Sequence, residues 1–422
     1  MIGAVSEALG RVDTSRLRQD LVTLAGFGAS TQGITRPSWS SEYLDARDWL
    51  ATRCTDAGLA VTVDPIGNLW ATWDCGTGPS IVVGSHIDTV LAAGSFDGCL
   101  GVLGGLEAIR SLREGGFRPS RPVRLVAWVE EEGTSTGRTL LGSSVFVGEV
   151  LLDDVLGLQD GCGTSLAELL DRDKLRSQTW DDHEPSDVGT YLELHIEQGP
   201  VLDRERVQIG VVNGIVGYRS GSIRYEGIAN HAGTTPMDHR QDALVSAAMA
   251  VVSIRDLAVE TGVTATVGRI VSLPNAANVI PRRVEFSFDV RSVDDDLLDR
   301  YLAQLHTAVS DIAQSQGVDV VVDTLARIES VALDRELQGR IAAAADRLGF
   351  SRRELPSGAL HDAAPIARRI PAGMIFVPSI DGISHAPEER TEWEDCAAGA
   401  AVLAEVVRGL CSDQRDVDAA EA

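Results

Sequence analysis

The segment that most constrains the fold is Ile81–Gly105, IVVGSHIDTVLAAGSFDGCLGVLGG, in which an apolar run leads directly into polar residues. The β-branched run at 81–83 predicts a strand that is buried on both faces, and such strands occur in sheets that helices cover on both sides. His86 and Asp88 lie two residues apart, so an extended backbone points both side chains to the same side. Asp97 follows on a loop broken by glycine. The segment therefore predicts an α/β fold in which a buried strand ends at a cluster of polar ligands.

Two later segments repeat this transition from apolar strand to polar residue. A strand predicted over Val123–Val129 leads into the consecutive glutamates at 130–132, and a strand over Tyr191–His195 leads into HIEQG. A helix predicted over Gly101–Arg113 separates the first two strands. Because the carboxyl ends of parallel strands meet at one edge of a sheet, we expect catalytic groups to collect there.

Further scaffold elements of this α/β domain are predicted near both ends of the chain from apolar periodicity and turn residues. They are helices over Ser15–Ala29, Ser41–Ala57, Asp334–Leu348 and Trp393 to about Leu410, and strands over Val61–Val63, Leu69–Trp73 and Gly373–Val377. The loop DGISHAPEE, which follows the last of these strands, carries His385.

A second domain is predicted between these two parts. From about Val207 the sequence becomes rich in strand-type residues punctuated by glycine, which indicates paired antiparallel strands. There follow a helix over Gln241–Thr261, strands over Thr264–Ser272 and Arg283–Val290, a helix over Asp295–Gln316 and a strand over Val318–Val322. This ββαββα pattern suits a small α+β domain at 210–327, inserted into a larger domain formed by 1–209 and 328–422.

Charge and composition exclude several classes of partner. The 422 residues carry a formal net charge of −25, which repels nucleic acid phosphates and anionic lipids. No apolar run approaches the roughly 18 residues of a membrane span, and the N-terminus lacks the basic and apolar regions of a secretion signal. The six cysteines form no CxxC pair, so free thiols in a reducing compartment are expected. We therefore expect a cytoplasmic protein without nucleic acid or membrane partners.

Ligand-type residues gather at the predicted strand ends. They are His86, Asp88, Asp97, Glu131, Glu132, His195 and His385. Taken singly, each histidine is more often a structural or surface residue than a ligand. Taken together, nitrogen and oxygen donors without a thiolate fit Zn, Mn, Co or Ni better than a structural zinc site.

The order of the motifs sharpens this prediction. From His86 to Glu389 the sequence contains, in order, HIDTV, FDGCLGV, EEEG, HIEQG, NHAGTTPM, PNAANVIP, DVRS, HDA and GISHAPEE. This set resembles the amidase and carbamoylase branch of the dinuclear metallopeptidase superfamily, which includes N-carbamoyl-L-amino acid hydrolase, allantoate amidohydrolase and β-ureidopropionase. The resemblance implies a mixed-sheet catalytic domain and an inserted, ferredoxin-like α+β domain that serves as dimerisation surface and lid. It also implies a homodimer and two divalent metal ions.

The resemblance assigns roles to the ligand-type residues. One metal would be held by His86, Asp97 and His195, and the other by Asp97, Glu132 and His385. Asp97 would therefore bridge the two metals, and Asp88 would orient His86. Glu131 would be the general base that takes a proton from the attacking water.

The resemblance also implies residues that bind the substrate. His231 resembles the histidine that reaches a partner subunit's active site and stabilises the tetrahedral intermediate. Asn278 and Arg291 match positions that bind the substrate's carboxylate, for which a planar guanidinium suits bidentate pairing. Gln198 of HIEQG adds a polar contact. Without the surrounding motifs, Arg291 would be interpreted as a surface salt bridge at the end of a strand.

Two departures from the family pattern affect the expected pocket. Thr134–Thr136 stands where the family commonly has an Arg-Phe pair, and Leu360 replaces a glycine of GAGHDA. Both changes weaken the prediction of the substrate and leave the metal assignment intact. Adjacent residues of a strand point apart, so the roles of Glu131 and Glu132 depend on the family match. Glu130 is expected to be a solvated carboxylate.

Three hypotheses of function remain open. The first is hydrolysis of an N-carbamoyl or related amide bond in a small carboxylate compound, with release of an L-amino acid. The second is an N-acyl-amino acid amidase or dipeptidase on the same scaffold. The third, a non-catalytic binding module, is disfavoured because every ligand position and the base remain chemically competent.

Overall fold

A computed structural model describes residues 12–175, 178, 180 and 183–421 of the chain. The chain divides into two compact units. The larger unit comprises Met1–Asn213 with Ala332–Ala422, and the smaller unit comprises Gly214–Val331. The inserted domain predicted at 210–327 is thus displaced by four residues at each end from the structural unit at 214–331.

Capping residues and glycines fix the ends of the helices. In chain order the helices are α1 (Thr14–Ala25), α2 (Ser41–Asp56), α3 (Cys99–Glu114), α4 (Leu141–Phe146), α5 (Leu152–Val155), α6 (Leu166–Arg172), α7 (Val201–Glu205), α8 (Ala243–Thr261), α9 (Asp295–Gln316), α10 (Arg335–Leu348), α11 (Ala363–Ala367) and α12 (Trp393–Glu421). Short 3₁₀ turns lie at Pro185–Asp187, Met237–His239 and Ile380–Gly382. Helix α1 ends before the predicted Ala29, because the chain turns through Gly28, whose φ is 81°. Helix α12 extends past its predicted end near Leu410.

The strands form two main sheets and one short hairpin. In chain order they are β1 (Ala29–Ser30), β2 (Gly33–Ile34), β3 (Ala60–Val63), β4 (Leu69–Trp73), β5 (Ser80–His86), β6 (Val123–Trp128), β7 (Val188–Ile196), β8 (Ile209–Ile215), β9 (Gly217–Glu226), β10 (Thr264–Thr266), β11 (Ile270–Leu273), β12 (Arg283–Ser292), β13 (Asp319–Ile328), β14 (Val331–Ala332), β15 (Arg352–Ser357) and β16 (Ala372–Val377).

The large sheet is mixed, with the order β14-β8-β16-β7-β5-β6-β4-β3, and β15 pairs with β8. Its four central strands, β16, β7, β5 and β6, are parallel. Every residue of β5 is buried, and α3 packs against β5 and β7. The predicted mixed α/β architecture and the doubly covered strand at 81–83 are therefore confirmed.

The polar residues of the cluster lie at the carboxyl ends of the four parallel strands. His86 ends β5, and the three glutamates follow β6. His195 is the penultimate residue of β7, and His385 lies in the loop after β16. Because all four strands run in the same direction, their carboxyl ends bring residues from distant parts of the sequence to one place.

The small unit is an antiparallel sheet with two helices. Strand β9 pairs with β12 on one side and β13 on the other, and β10 and β11 both pair with β12. Helix α9 is capped by Asp294 and ends at Gly317, which has φ 64°. Its apolar residues recur at helical spacing and are buried against the sheet. They are Leu298, Tyr301, Leu305, Val309 and Ile312.

The order of strands and helices in the small unit differs from the prediction. The first strand of the predicted pair is β8, which joins the large sheet and pairs with β16 in the register Val212 to Met374. The order of elements in the small unit is therefore β9, α8, the two short strands β10 and β11, β12, α9 and β13, rather than ββαββα. The strand-type residues and glycines predicted both strands, but they could not show that the strands enter different sheets, because β16, the partner of β8, lies far along the chain.

Among the described residues, no helix combines the length and the apolar character that crossing a membrane requires.

Candidate active site

Asp97 lies at the centre of the polar cluster at the carboxyl ends of the parallel strands. Its Oδ1 is 3.2 Å from Nε2 of His195 and 3.8 Å from Nε2 of His86. Its Oδ2 is 3.0 Å from Nε2 of His385. Gly98, which follows it, has φ 63°, and a Cβ there would lie 2.4 Å from the His86 ring. A glycine at this position thus lets the Asp97 turn approach His86.

Two of the histidines have their tautomer set by the main chain. His86 Nδ1 lies 3.0 Å from the carbonyl oxygen of Asp88, and His195 Nδ1 lies 2.9 Å from that of Ile196. A carbonyl can only accept, so each Nδ1 carries the proton and donates it. The Nε2 atoms of both rings then face Asp97, and Nε2 of His195 also lies 3.1 Å from the main-chain nitrogen of Gly98. A histidine binds a metal through an unprotonated ring nitrogen, so Nε2 is the atom that would serve as ligand in each ring.

Among the described residues, two of the four groups of candidate ligand atoms share Asp97. One group is His86, Asp97 and His195, and the other is Asp97, Glu132 and His385; within each, the atoms lie within 4.8 Å of one another. Each oxygen of Asp97 faces a different group. Nitrogen and oxygen donors without a thiolate suit a catalytic divalent metal. The residues present therefore fit a pair of metals bridged by Asp97.

Asp88 supports the glutamate turn rather than the His86 ring alone. Its carboxylate accepts hydrogen bonds from the N–H groups of Glu131 at 3.3 Å and Glu132 at 3.2 Å. The same carboxylate is 3.7 Å from Nδ1 of His86, whose hydrogen bond goes to the Asp88 carbonyl instead. Asp88 therefore links the end of β5 to the turn after β6.

Glu130 is the residue for which the sequence-based expectation was wrong. It is fully buried, not solvated. Its Oε1 accepts from the N–H of Thr136 at 2.6 Å and from the hydroxyl of Thr136 at 3.0 Å, while its own N–H donates to Ser38 Oγ. Its φ is 59°, which breaks the alternation of the strand. This left-handed residue explains how Glu131 and Glu132 both approach the ligand groups.

Burial and mutual charge shift the pKa values of the cluster in the absence of metal. Burial alone raises the pKa of Asp97, but hydrogen bonds with His195 and His385 hold it well below its usual value. Burial alone would lower the pKa of His195, but its hydrogen bond with Asp97 raises the pKa to about 9. Burial lowers the pKa of His86 to about 4. Metal ligation needs neutral imidazoles, so metal binding would release the proton of His195.

Glu131 is adjacent to the first ligand group. Its Oε2 lies 3.8 Å from Nε2 of His86, and the residue is buried. Burial, followed by the negative charge of Glu132, raises the pKa of Glu131 well above its usual value. A carboxylate with a high proton affinity beside a water-activating site can take up a proton from water and return it.

Gln198 also faces the cluster. Its Nε2 donates to Oδ2 of Asp97 at 2.9 Å, and its Oε1 is buried without a hydrogen-bond partner among the described residues. The free oxygen can accept from a substrate N–H group.

Four residues near the ligands received no role from the sequence, although two quoted motifs contain three of them. His361, from HDA, packs its ring edge-on against His195 with centroids 4.4 Å apart. Glu193 is buried and accepts from Ser85 and from the N–H of Ala363. Ser384 and Glu389, from GISHAPEE, hydrogen-bond to the Asp97 loop. For His361, Ser384 and Glu389, their position as polar residues inside a motif was a signal in the sequence that they lie near the ligands. No such signal marked Glu193.

Leu360 lies in the large unit beside His361 and is partly buried. Its neighbour His361 contacts His195. The position therefore lies near the ligand groups, where the sequence places a leucine in place of the family's glycine.

Of the proposed substrate residues of the small unit, His231 and Asn278 are exposed and Arg291 is half-buried. His231 accepts from the N–H of Gly233 through Nδ1 at 3.0 Å, and the N–H next to it, of Ala232, donates to the carbonyl of Asn278 at 3.0 Å. Arg291 is 40% exposed and donates through Nε to Asp289 at 2.8 Å. The structure thus brings His231 and Asn278 onto neighbouring segments and gives Arg291 an ion-pair partner within its own strand.

Parallel strands that present two histidine and carboxylate groups joined by one aspartate, beside a buried glutamate, fit the class of hydrolases that depend on paired divalent metals. The comparison with protein families agrees with this class. Residues 82–409 match the model described as Peptidase family M20/M25/M40, and the chain belongs to this family. The predicted relationship is confirmed, and the protein is a hydrolase that acts on C–N bonds.

Characterised relatives and solved structures extend over nearly the whole chain. An N-carbamoyl-L-amino-acid amidohydrolase of Paenarthrobacter aurescens is 36% identical over 95% of this chain and 99% of its own length. An allantoate amidohydrolase of Bacillus subtilis is 34% identical over 92% of this chain and 95% of its own. The crystal structure of a hydantoinase/carbamoylase family amidase from Burkholderia ambifaria, 35% identical, covers 96% of this chain and 99% of its own with a TM-score of 0.91.

Proposed function

We propose that the protein hydrolyses the C–N bond of an N-carbamoyl, or related linear ureido or amide, group in a small compound that bears a carboxylate, and so releases an L-amino acid. The observation that carries this proposal is the position of Asp97, each of whose oxygens faces a separate histidine and carboxylate group. Relatives that match nearly the whole chain include an N-carbamoyl-L-amino-acid amidohydrolase and an allantoate amidohydrolase, and their names supply the class of bond.

Two divalent metals, Zn or alternatively Mn, Co or Ni, would be held at this site. The first would be bound by His86, Asp97 and His195, and the second by Asp97, Glu132 and His385. When bound, such ions lower the pKa of water and polarise the carbonyl under attack. Asp88 keeps the Glu131 and Glu132 turn in place through its two hydrogen bonds.

Glu131 acts as the general base in this proposal. Its buried carboxylate has the proton affinity to remove a proton from water and to deliver it to the leaving nitrogen. Gln198 would accept from an N–H of the ureido group through its unpartnered Oε1. A ureido group offers more N–H donors than a simple amide, which is the reason for this preference.

The small unit would supply recognition. Arg291 and Asn278 would bind the carboxylate of the substrate, and His231 of a partner subunit would stabilise the oxyanion. The strand and helix order of the small unit, with its antiparallel sheet, supports a ferredoxin-like lid domain. Closure of this domain on substrate would exclude water. Equal interdomain angles in free and analogue-bound crystal structures would count against closure.

Exposed apolar residues on the small unit support a homodimer. They are Leu244, Val245, Met249, Val252 and Val259 on α8, and Ile270, Val271 and Leu273 on β11. At 100° per residue the α8 set shares one side of the helix, and β11 belongs to an edge of the sheet. An exposed apolar helix face and an apolar edge strand can each pair with a second copy of the chain in a twofold dimer. Sedimentation as a single 44.9 kDa species would contradict this assignment.

The six cysteines are free, which supports a reducing, cytoplasmic location that cell fractionation can check. The net charge of −25 supports the absence of nucleic acid and membrane partners.

A substrate panel tests the proposed function. The protein is stripped with a chelator, reloaded with Zn, Mn, Co or Ni, and assayed on N-carbamoyl-L-amino acids, allantoate, N-acyl-amino acids and dipeptides. We expect no turnover without metal, and turnover with ammonia release on ureido substrates after reloading. Turnover of only acyl or dipeptide substrates, without ammonia, would replace the proposal with the amidase or dipeptidase hypothesis. Bound metal without any turnover would leave a non-catalytic binding module.

A further inference from the structure

Glu389 is a buried carboxylate that the proposed chemistry does not use. It lies four residues after His385 and is 5% exposed. Its Oε1 accepts two main-chain hydrogen bonds, from Phe96 at 2.8 Å and from Asp97 at 3.1 Å. A side chain from the His385 loop therefore holds the backbone of the residue proposed to bridge the metals.

The second oxygen of Glu389 holds its own loop. Oε2 accepts from the hydroxyl of Ser384 at 2.9 Å, and Ser384 precedes His385. The same hydroxyl lies 3.2 Å from Oδ2 of Asp97. One carboxylate is therefore bonded on one side to the Asp97 main chain and on the other side to the residue next to His385.

The sequence leaves room for this contact. Gly94 lies in the loop before Asp97, and a Cβ at Gly94 would come within 2.3 Å of Cβ of Glu389. Any other residue at 94 would force the two loops apart. Gly94, Ser384 and Glu389 thus form a matched set from segments nearly 300 residues apart, as the separation of 292 residues between Asp97 and Glu389 shows.

The two ligand groups differ in what fixes them. His86 and His195 lie within strands β5 and β7, whose ladders set their positions. Asp97 and His385 both lie on loops outside the strands, and the His385 side chain is 49% exposed. The group of Asp97, Glu132 and His385 therefore needs a support that the sheet does not provide.

We propose that Glu389 is a positioning residue that fixes the Asp97 loop relative to the His385 loop, and that it thereby sets the metal affinity of the Asp97, Glu132 and His385 site more than that of the His86, Asp97 and His195 site. The inference rests on the two-metal site proposed above. Partners that orient ligands in this way change metal affinity by about ten- to a hundredfold when they are removed.

Metal titration of Glu389→Gln tests the proposal. The glutamine oxygen can still accept from the N–H groups of Phe96 and Asp97, but its NH₂ group cannot accept the Ser384 proton. Metal-free protein is titrated with Zn²⁺ in competition with a chromogenic chelator. The constant that remains in His385→Ala identifies the first site. The matched control is Glu388→Gln, which changes an exposed neighbour in the same loop.

We expect the dissociation constant of the second site to rise about tenfold in Glu389→Gln, with the first site within about twofold of wild type. Ser384→Ala, which deletes the other half of the same hydrogen bond, should give the same selective loss. Raised Zn²⁺ should restore turnover in both variants, which a purely structural defect would not allow. If Glu389→Gln does not fold without metal, Ser384→Ala carries the test.

Equal weakening of both sites, or wild-type constants in both variants, would overturn the positioning role. If wild type binds two Zn²⁺ and hydrolyses a ureido substrate while the variants match it, the positioning role alone fails. If wild type does not bind two Zn²⁺, the two-metal site fails, and the positioning role fails with it.

Discussion

The ligand cluster of the large unit and the proposed substrate residues of the small unit are held in opposite ways. Asp97 and His195 are buried, and their polar atoms face partners from several strands and loops. His231 is exposed, and Arg291 is bonded to Asp289 two residues away. The first arrangement is preorganised by buried contacts from several elements, whereas the second lies nearer to solvent, with Arg291 over the Tyr218 ring and paired with Asp289. The glutamate turn, which several hydrogen bonds hold, should therefore tolerate loss of one of them, and recognition should depend on individual side chains.

The largest effect is expected from Glu131→Gln, which removes the base and keeps the shape of the site. A positioned general base contributes about 10²- to 10⁴-fold, so kcat should fall by that factor with KM little changed. Kinetics on the substrate found in the panel, together with metal analysis of the purified variant, measure both quantities. Two bound metals with the loss of turnover would show that the large unit keeps its site without its base.

Glu388→Gln is the matched control for this substitution, because it makes the same chemical change at an exposed position of the large unit. Its kcat should equal that of wild type. Full activity of Glu131→Gln would remove Glu131 from the role of base.

A smaller and different effect is expected from Arg291→Lys in the small unit. Lysine keeps the charge but loses the planar pair of donors that suits a carboxylate. Loss of a hydrogen bond to a charged group costs about 1.5–3 kcal/mol, so KM should rise about ten- to a hundredfold while kcat is preserved. Initial rates over a range of substrate concentration separate the two parameters.

The comparison variant is Arg269→Lys, which alters another arginine of the small unit that is 58% exposed and paired with Glu285. Its KM should not change. If Arg291→Lys also leaves KM unchanged, the arginine serves only its ion pair with Asp289, as the surface interpretation of the sequence allowed.

The parts of the fold that were predictable are those fixed by short-range pattern. The apolar run at 81–83 specified a strand covered on both faces, and the strand, helix, strand order specified parallel pairing. Strand β8 was misplaced because its partner β16 lies about 160 residues further along, as Val212 pairs with Met374. The residue pattern of a short segment carries no information about which sheet its strand joins.

The residues of the site also divide into those that the sequence made predictable and those that depend on contacts with distant parts of the chain. The two ligand groups that the family resemblance implied, which share Asp97, are brought together by the fold, because the carboxyl ends of parallel strands converge. Glu130 was misjudged because strand alternation cannot reveal a left-handed residue, and because its partner Ser38 lies 92 residues earlier. Glu389 was passed over for the same reason, since its role depends on a contact with the distant Asp97 loop.

The smallest effect is expected from Thr136→Val, which removes one support of the buried Glu130. The hydroxyl bond at 3.0 Å is lost, but the N–H of Thr136 still donates to the same oxygen at 2.6 Å. Asp88 continues to hold the N–H groups of Glu131 and Glu132. A single hydrogen bond contributes about 1 kcal/mol, so urea denaturation should show a loss of that size in the free energy of unfolding, with kcat reduced far less than in Glu131→Gln. Thr134→Val, which makes the same chemical change two residues away and leaves both bonds of Thr136 to Glu130 intact, should match wild type in the free energy of unfolding. A fall in kcat as large as that of Glu131→Gln at unchanged stability would contradict the comparison, because it would mean that the glutamate turn depends on one hydroxyl and not on a network that the fold over-determines.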